Sequence, residues 1–116
     1  MFYIKYYETE RGQKPVEEFI ESLEENMQVK VLRQISLLKE YGNKLREPHS
    51  SIVGKGIYEL RIIESGNIVR VFYFFKIGKV IIITNGIVKK TQKLPPSAIK
   101  LAELYKKDYE RRNFNG

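Results

Sequence analysis

Ile57-Tyr58-Glu59-Leu60-Arg61-Ile62-Ile63 and Ile68-Val69-Arg70-Val71-Phe72-Tyr73-Phe74-Phe75 are the two most apolar, aromatic stretches of the chain, and a third, Val80 to Thr84, follows closely. Branched and aromatic side chains suit a pleated, half-buried strand. The separators Glu64-Ser65-Gly66-Asn67 and Lys76-Ile77-Gly78-Lys79 carry the glycines that tight hairpins require. The spacing predicts three strands, about 57–64, 68–76 and 80–85, paired antiparallel as a meander. Asn85-Gly86 should break the third, leaving Ile87 to Lys90 as a bulged extension or a separate segment.

Upstream of this meander, Phe2 to Thr9 reads as a first strand that Gly12 breaks. Pro15 suits the first turn of a helix in which Val16, Phe19, Ile20 and Leu23 form one apolar stripe. Asn26 is a candidate cap for a longer helix with Val31, Leu32, Ile35, Leu38 and Tyr41 at helical spacing, stopped by Gly42. Asn43 to Gly56 is polar and reads as a loop or a short irregular entry to the sheet. Downstream, Pro95-Pro96 opens a last helix with Ala98, Leu101, Ala102, Tyr105 and Tyr109 on one face and Lys106, Lys107, Arg111 and Arg112 toward its end. The order β-α-α-β-β-β-α gives a single α+β domain over 1–116: a small, mainly antiparallel sheet with two N-terminal helices and a C-terminal helix. The helices are expected on one face, with the other free for a ligand.

The 116 residues can bury a core without staples. No cysteine is present, so disulfides and thiolate metal sites are excluded, and no metal or cofactor is expected. Neither a signal segment nor an apolar run of membrane-spanning length occurs, which makes a cytoplasmic protein without a membrane partner the expectation. Net charge is +7, which favours an anionic partner such as nucleic acid. Between Glu8 and Glu25 seven acids face two bases, whereas between Asn26 and Lys79 ten bases face four acids. The first helix is therefore a poor site for an anion, and the basic surface lies after it.

Within that basic part, Arg61 and Arg70 stand inside apolar strands. A guanidinium there needs a partner carboxylate or a site where it meets an anion. For Arg61 the choice is a local pair with Glu59 on a solvated face or a concave phosphate site; for Arg70 it is a nearby Glu or the same site. Lys89 and Lys90, with Lys93 close by, form either a solvated basic loop or part of that site. Lys55, Lys93, Lys106 and Lys107 are candidate contacts for an anionic partner such as nucleic acid. His49, the only histidine, lies in a polar loop and reads as exposed and inert. No Ser-His-Asp set, metal-spaced carboxylate cluster or phosphate loop is visible.

Gly54-Lys55-Gly56-Ile57-Tyr58-Glu59-Leu60-Arg61, Val69-Arg70-Val71-Phe72-Tyr73 and Lys89-Lys90-Thr91-Gln92-Lys93-Leu94-Pro95, in this order before a basic helix, resemble the RelE/HigB superfamily of type II toxins, in particular its phage-derived HigB-like branch. The resemblance spans essentially the whole chain. It implies a ribosome-dependent mRNA interferase that cleaves the codon in the ribosomal A site without a metal, leaving a 2′,3′-cyclic phosphate and a 5′-hydroxyl. It further implies mRNA and ribosomal RNA as partners, together with a HigA-like antitoxin carrying a helix-turn-helix, through which alone operator DNA would be bound. By the same resemblance Arg61, Arg70, Lys89 and Lys90 are the catalytic set, with the arginines on phosphate and transition state. The tyrosine that RelE places in its last helix has no counterpart here, since the equivalent spacing reaches Pro96 rather than Tyr105 or Tyr109. Nor does the chain have the C-terminal histidines of some HigB toxins. The general base is left unassigned. A ParE-like gyrase inhibitor and a basic nucleic-acid-binding module are the competing readings.

Overall fold

The computed structural model describes residues 1–89 and 93–113. A central five-stranded sheet is built from β1 (Tyr3–Tyr6), β2 (Ser50–Ile52), β3 (Tyr58–Glu64), β4 (Asn67–Lys76) and β5 (Val80–Lys89), in the order β1-β5-β4-β3-β2. All neighbours are antiparallel except β1, which runs parallel to β5 with Tyr3 opposite Val80. The helices are α1 (Pro15–Glu21), α2 (Glu25–Tyr41) and α3 (Pro96–Arg112). The expected α+β class and element order hold, with the three-residue β2 lying inside the stretch read as a loop or a short irregular entry to the sheet. None of the described helices is long and apolar enough to cross a membrane.

Two layers of helix cover the sheet, not one. Val16 and Ile20 of α1, with Met27, Val31, Ile35 and Leu38 of α2, pack on Leu60, Ile62, Val69, Val71 and Ile83. On the opposite face α3 lays Ala98 and Ala102 against Phe72, Phe74 and Ile82. The expectation of a free face is thus corrected over much of the sheet. The cause is legible in β4, where Val69, Val71 and Tyr73 alternate with Ile68, Phe72 and Phe74. A strand apolar on both faces must be covered on both. Small residues at 98 and 102 let the helix approach closely, while Leu101, assigned to the buried stripe from sequence, is exposed. Leu32 and Tyr41 of α2 are likewise exposed, their expected place being taken by Met27.

Helix boundaries follow local chemistry. Pro15 starts α1 with Glu17 and Glu18 in its first turn, where the dipole favours acids. Glu24, not Asn26, is the N-cap position of α2. Gly42 ends α2 at φ +52°, and a Cβ there would lie 2.1 Å from the Phe2 ring. Glycine is therefore required both by conformation and by the close packing of Phe2, the residue just before β1.

Candidate functional site

β5 does not break at Asn85-Gly86 but bulges just before it. Tyr73 is opposite Ile83 while Phe72 is opposite Asn85, so Thr84 is the extra residue. Side chains alternate faces along a strand, and one inserted residue reverses the alternation beyond it. Ile82 faces α3; without the bulge Lys89 would face the side of α1 and α2. With it, Asn85, Ile87 and Lys89 share the α3 side with Phe72, Arg70 and Ile68, their register partners. The bulge is held by Thr84 Oγ1, which donates to Asn85 Oδ1 at 2.7 Å and lies 3.2 Å from the Phe72 carbonyl. Asn85 Nδ2 in turn donates to the Ala98 carbonyl at 3.3 Å, fixing the first turn of α3.

One rung of the sheet therefore reads Arg61, Arg70, Ile87. The Arg61 N–H donates to the His49 carbonyl at 2.8 Å, away from β4. Arg61 and Arg70 are thus a non-hydrogen-bonded pair, the kind whose Cα atoms approach to about 4.5 Å. Two like charges so placed repel unless something separates them. Glu59, on the same face two residues earlier, does so. Its Oε1 accepts from Arg61 Nε at 2.7 Å and lies 3.6 Å from Arg70 Nε. Arg61 Nη2 also donates to Ser51 Oγ on β2 at 3.0 Å.

Both arginines thus have the carboxylate partner that was one of the two readings, but the pair is not on a solvated face. Glu59 and Arg70 are each 1% exposed, whereas the Arg61 side chain is 21% exposed. Arg61 and the exposed Lys89 reach the surface, and Arg70 lies beneath it. From strand geometry the Cα atoms of Arg61 and Lys89 are on the order of 12 Å apart, a span that their side chains can close around a phosphodiester. Lys90 lies outside the described residues.

A family profile described as "Phage derived protein Gp49-like (DUF891)" matches residues 18–107. The chain belongs to this Gp49-like family. No curated protein matches it. The matched span takes in β2 to β5 and thus the whole Arg61, Arg70 and Lys89 arrangement, along with most of α3.

The remaining basic candidates of the Gp49-like chain are spread out. Lys106 Nζ sits 5.6 Å from the Phe74 ring centroid, and a Cβ on Gly56 would meet that amine. Phe74 is four residues along β4 from Arg70, about 13 Å at strand rise, so Lys106 and the neighbouring exposed Lys55 form a second, separate basic end of the α3 face. Lys93 is exposed on the approach to α3, and Lys107 is exposed on α3 itself. Arg111 and Arg112 are engaged by Asp108, with Arg111 also reaching Glu10. Tyr7 donates to Asp108 and stacks on Tyr105 with centroids 4.4 Å apart. The Tyr7 hydrogen bond, followed by those from Arg112 and Arg111, lowers the Asp108 carboxyl to about 2 against desolvation. Burial, then the bond to Asp108, raises the Tyr7 phenol to about 12. Tyr105 and Tyr109 are packed against Tyr7 and Phe74, which gives both a structural task.

Two participants, Ser51 and Gln34, were not singled out from sequence. Ser51 was hidden because β2 is only three residues long. Gln34 Nε2 lies 3.2 Å from His49 Nδ1 and donates to the Arg61 carbonyl at 3.3 Å. His49, read as inert, is thus placed beside Arg61 by its own carbonyl and by Gln34.

Proposed function

We propose that this Gp49-like chain is the toxin of a type II toxin–antitoxin pair, a metal-independent endoribonuclease that cuts mRNA in the ribosomal A site. The observation that carries the reading is the Thr84 bulge, which brings Lys89 to the same face as the Arg61–Arg70 rung. A cluster of donors on one sheet face is the equipment that RNA cleavage needs, because the substrate supplies its own nucleophile. The 2′-oxygen attacks phosphorus while the bond from phosphorus to the 5′-oxygen breaks. One proton leaves the 2′-hydroxyl and another is delivered to the 5′-oxygen. The protein's share is alignment and stabilisation of the charge on the non-bridging oxygens.

Arg61 is suited to that charge because its guanidinium stays protonated and presents a planar fork to phosphate. Glu59 and Ser51 hold the fork at Nε and Nη2. Arg70, buried behind them, adds positive potential to the same spot, where low polarity strengthens it. Lys89, assisted by Lys90, supplies a mobile ammonium for the phosphate or the leaving oxygen. The basic face would be closed off by a HigA-like antitoxin with a helix-turn-helix, and operator DNA would be met only through that partner. Expression followed by primer extension on cellular mRNA tests the reading. Codon-phased ends bearing 5′-hydroxyls are expected; growth arrest with intact mRNA and a DNA-damage response would instead place the chain with gyrase inhibitors.

A further inference from the structure

The outer edge of β3 beyond β2 borders a cavity of about 350 Å³ that the proposed chemistry does not use, lined in part by Lys30, Arg33, Gln34, His49, Arg61 and Ile62. Its size falls in the range of small-ligand sites, about 300–1,000 Å³. The hydrogen-bonding character of the wall is fixed by one amide. The Arg61 carbonyl can only accept, so the Gln34 group facing it at 3.3 Å is NH2. The same nitrogen is 3.2 Å from His49 Nδ1, which must then be the acceptor, leaving the proton of a neutral imidazole on Nε2. His49 thus offers a donor. Lys30 and Arg33 are donors in any state. Lys30 is paired with Glu64, while Arg33 is exposed and makes no ion pair with a described residue. Donors around the apolar side chains of Leu37 and Ile63, which also line the cavity, match a phosphate ester attached to a flat or sugar-like body.

We propose that this cavity is a subsite for a ribonucleotide neighbouring the one cleaved, with Arg33 and His49 binding its phosphate and the Leu37 and Ile63 side chains receiving its base or ribose. The assignment to RNA, rather than to another phosphate ester, rests on the function proposed above. Arg61 links the two sites. Its main chain forms part of the cavity wall through Gln34 and His49, and its side chain runs to Glu59 and Ser51 on the α3 face. A strand of RNA crossing the free edge of β3 would lie in both.

The test is a 1H–15N NMR titration of the full chain with adenosine 3′-monophosphate, adenosine and inorganic phosphate, run on wild type, Arg33→Gln and His49→Leu. Expected are shifts of the Gln34 side-chain amide and of the Arg33 and His49 backbone amides with the nucleotide. Affinity should fall about tenfold in each variant, the loss of roughly one charged or polar bond. Arg33 is on the surface, so Arg33→Gln should keep the wild-type circular dichroism. Nucleotide shifts confined to the Lys89 side, equal binding of inorganic phosphate, or unchanged affinity in Arg33→Gln would each overturn the subsite. A wild type that fills the cavity with nucleotide but cuts no mRNA on ribosomes would leave the subsite standing and remove the interferase reading.

Discussion

Replacing Glu59 by Gln keeps the shape of the side chain and removes its charge. Glu59 is 1% exposed, accepts from Arg61 Nε at 2.7 Å and lies 3.6 Å from Arg70 Nε. Its loss removes the carboxylate that the two guanidiniums share across the narrow pair of β3 and β4. Removing one partner of a buried ion pair costs about 3–5 kcal/mol. Because glutamine retains a carbonyl that can still accept from Arg61, the lower end, about 3 kcal/mol, is expected. For a chain of this size each kcal/mol moves the melting temperature by about 4 °C. Thermal unfolding followed by circular dichroism should therefore show Glu59→Gln melting about 12 °C below wild type, with a matching fall in the urea midpoint. A second variant checks the cause. Glu59→Leu combined with Arg70→Met replaces buried charge by apolar volume, an exchange that is often neutral or stabilising, and should recover most of the lost stability. A Glu59→Gln protein that melts within about 2 °C of wild type would refute the claim that this carboxylate holds the arginine pair together. The same reasoning applies to Arg70→Ala: the proposed function predicts that it abolishes mRNA cleavage, and that result must be read beside its melting curve.

Lys89→Ala separates activity from folding, because the side chain is exposed: stability should stay within about 0.5 kcal/mol while ribosome-dependent cleavage falls about a hundredfold, and unchanged cleavage would exclude Lys89 from the chemistry. At Gly86 a Cβ would lie 2.6 Å from two carbons of the Phe19 ring, so Gly86→Ala should cost about 1–3 kcal/mol by overpacking; rescue by Phe19→Leu in urea titrations checks that the clash is the cause. Asp108 is held at about 2 in the fold, below its ordinary 3.8, by Tyr7, Arg112 and Arg111. A lowered folded value means that its contribution is full above about pH 4 and is lost between there and pH 2; urea midpoints should drop over that window in wild type and much less in Asp108→Asn. Tyr7 and Tyr73 are both raised to about 12, chiefly by burial, so their contribution is present below pH 10 and lost as pH rises toward 12. Absorbance at 295 nm should show a late-ionising fraction that shrinks in Tyr7→Phe, and titration of all tyrosines together near pH 10 would contradict it.

The sequence carried most of the fold because apolar periodicity and turn glycines report on local geometry. The strands β3 and β4, the helices and the position of Gly42 as a stop all follow from such patterns. What it did not carry depends on parity and on distant partners. A bulge at Thr84 leaves no local mark that separates it from a strand end, and Asn85-Gly86 looks like a terminator whichever occurs. Gly86 is instead small because Phe19 of α1 occupies the place of its side chain. The second helical layer was legible in principle from the apolar alternate face of β4. For the site, Arg61 and Arg70 stood out as charges in apolar strands, and Glu59 was visible as a possible partner. That both arginines share it, with only Arg61 reaching solvent, required the register. Gln34 and His49 escaped because their significance comes from meeting across the sheet edge, fifteen residues apart.

A chain shaped by stability alone would not place Arg70 in its most buried strand. Apolar residues of similar volume would serve the core as well or better, and β4 carries them on either side at Ile68 and Phe72. Nor would it interrupt β5 beside Phe72, since an uninterrupted ladder pairs more backbone. These two departures fall close together on the same two strands: the bulge lies between the Phe72 and Tyr73 pairings, and the Arg61–Arg70–Ile87 rung is two residues from Phe72. Local rules are broken together where a site has to be built. The effect of the first departure is to fix positive charge in a dry, rigid place, and of the second to turn Lys89 toward it. That convergence, more than the net charge of the chain, is what the proposal of an RNA-binding site at this end of the sheet rests on.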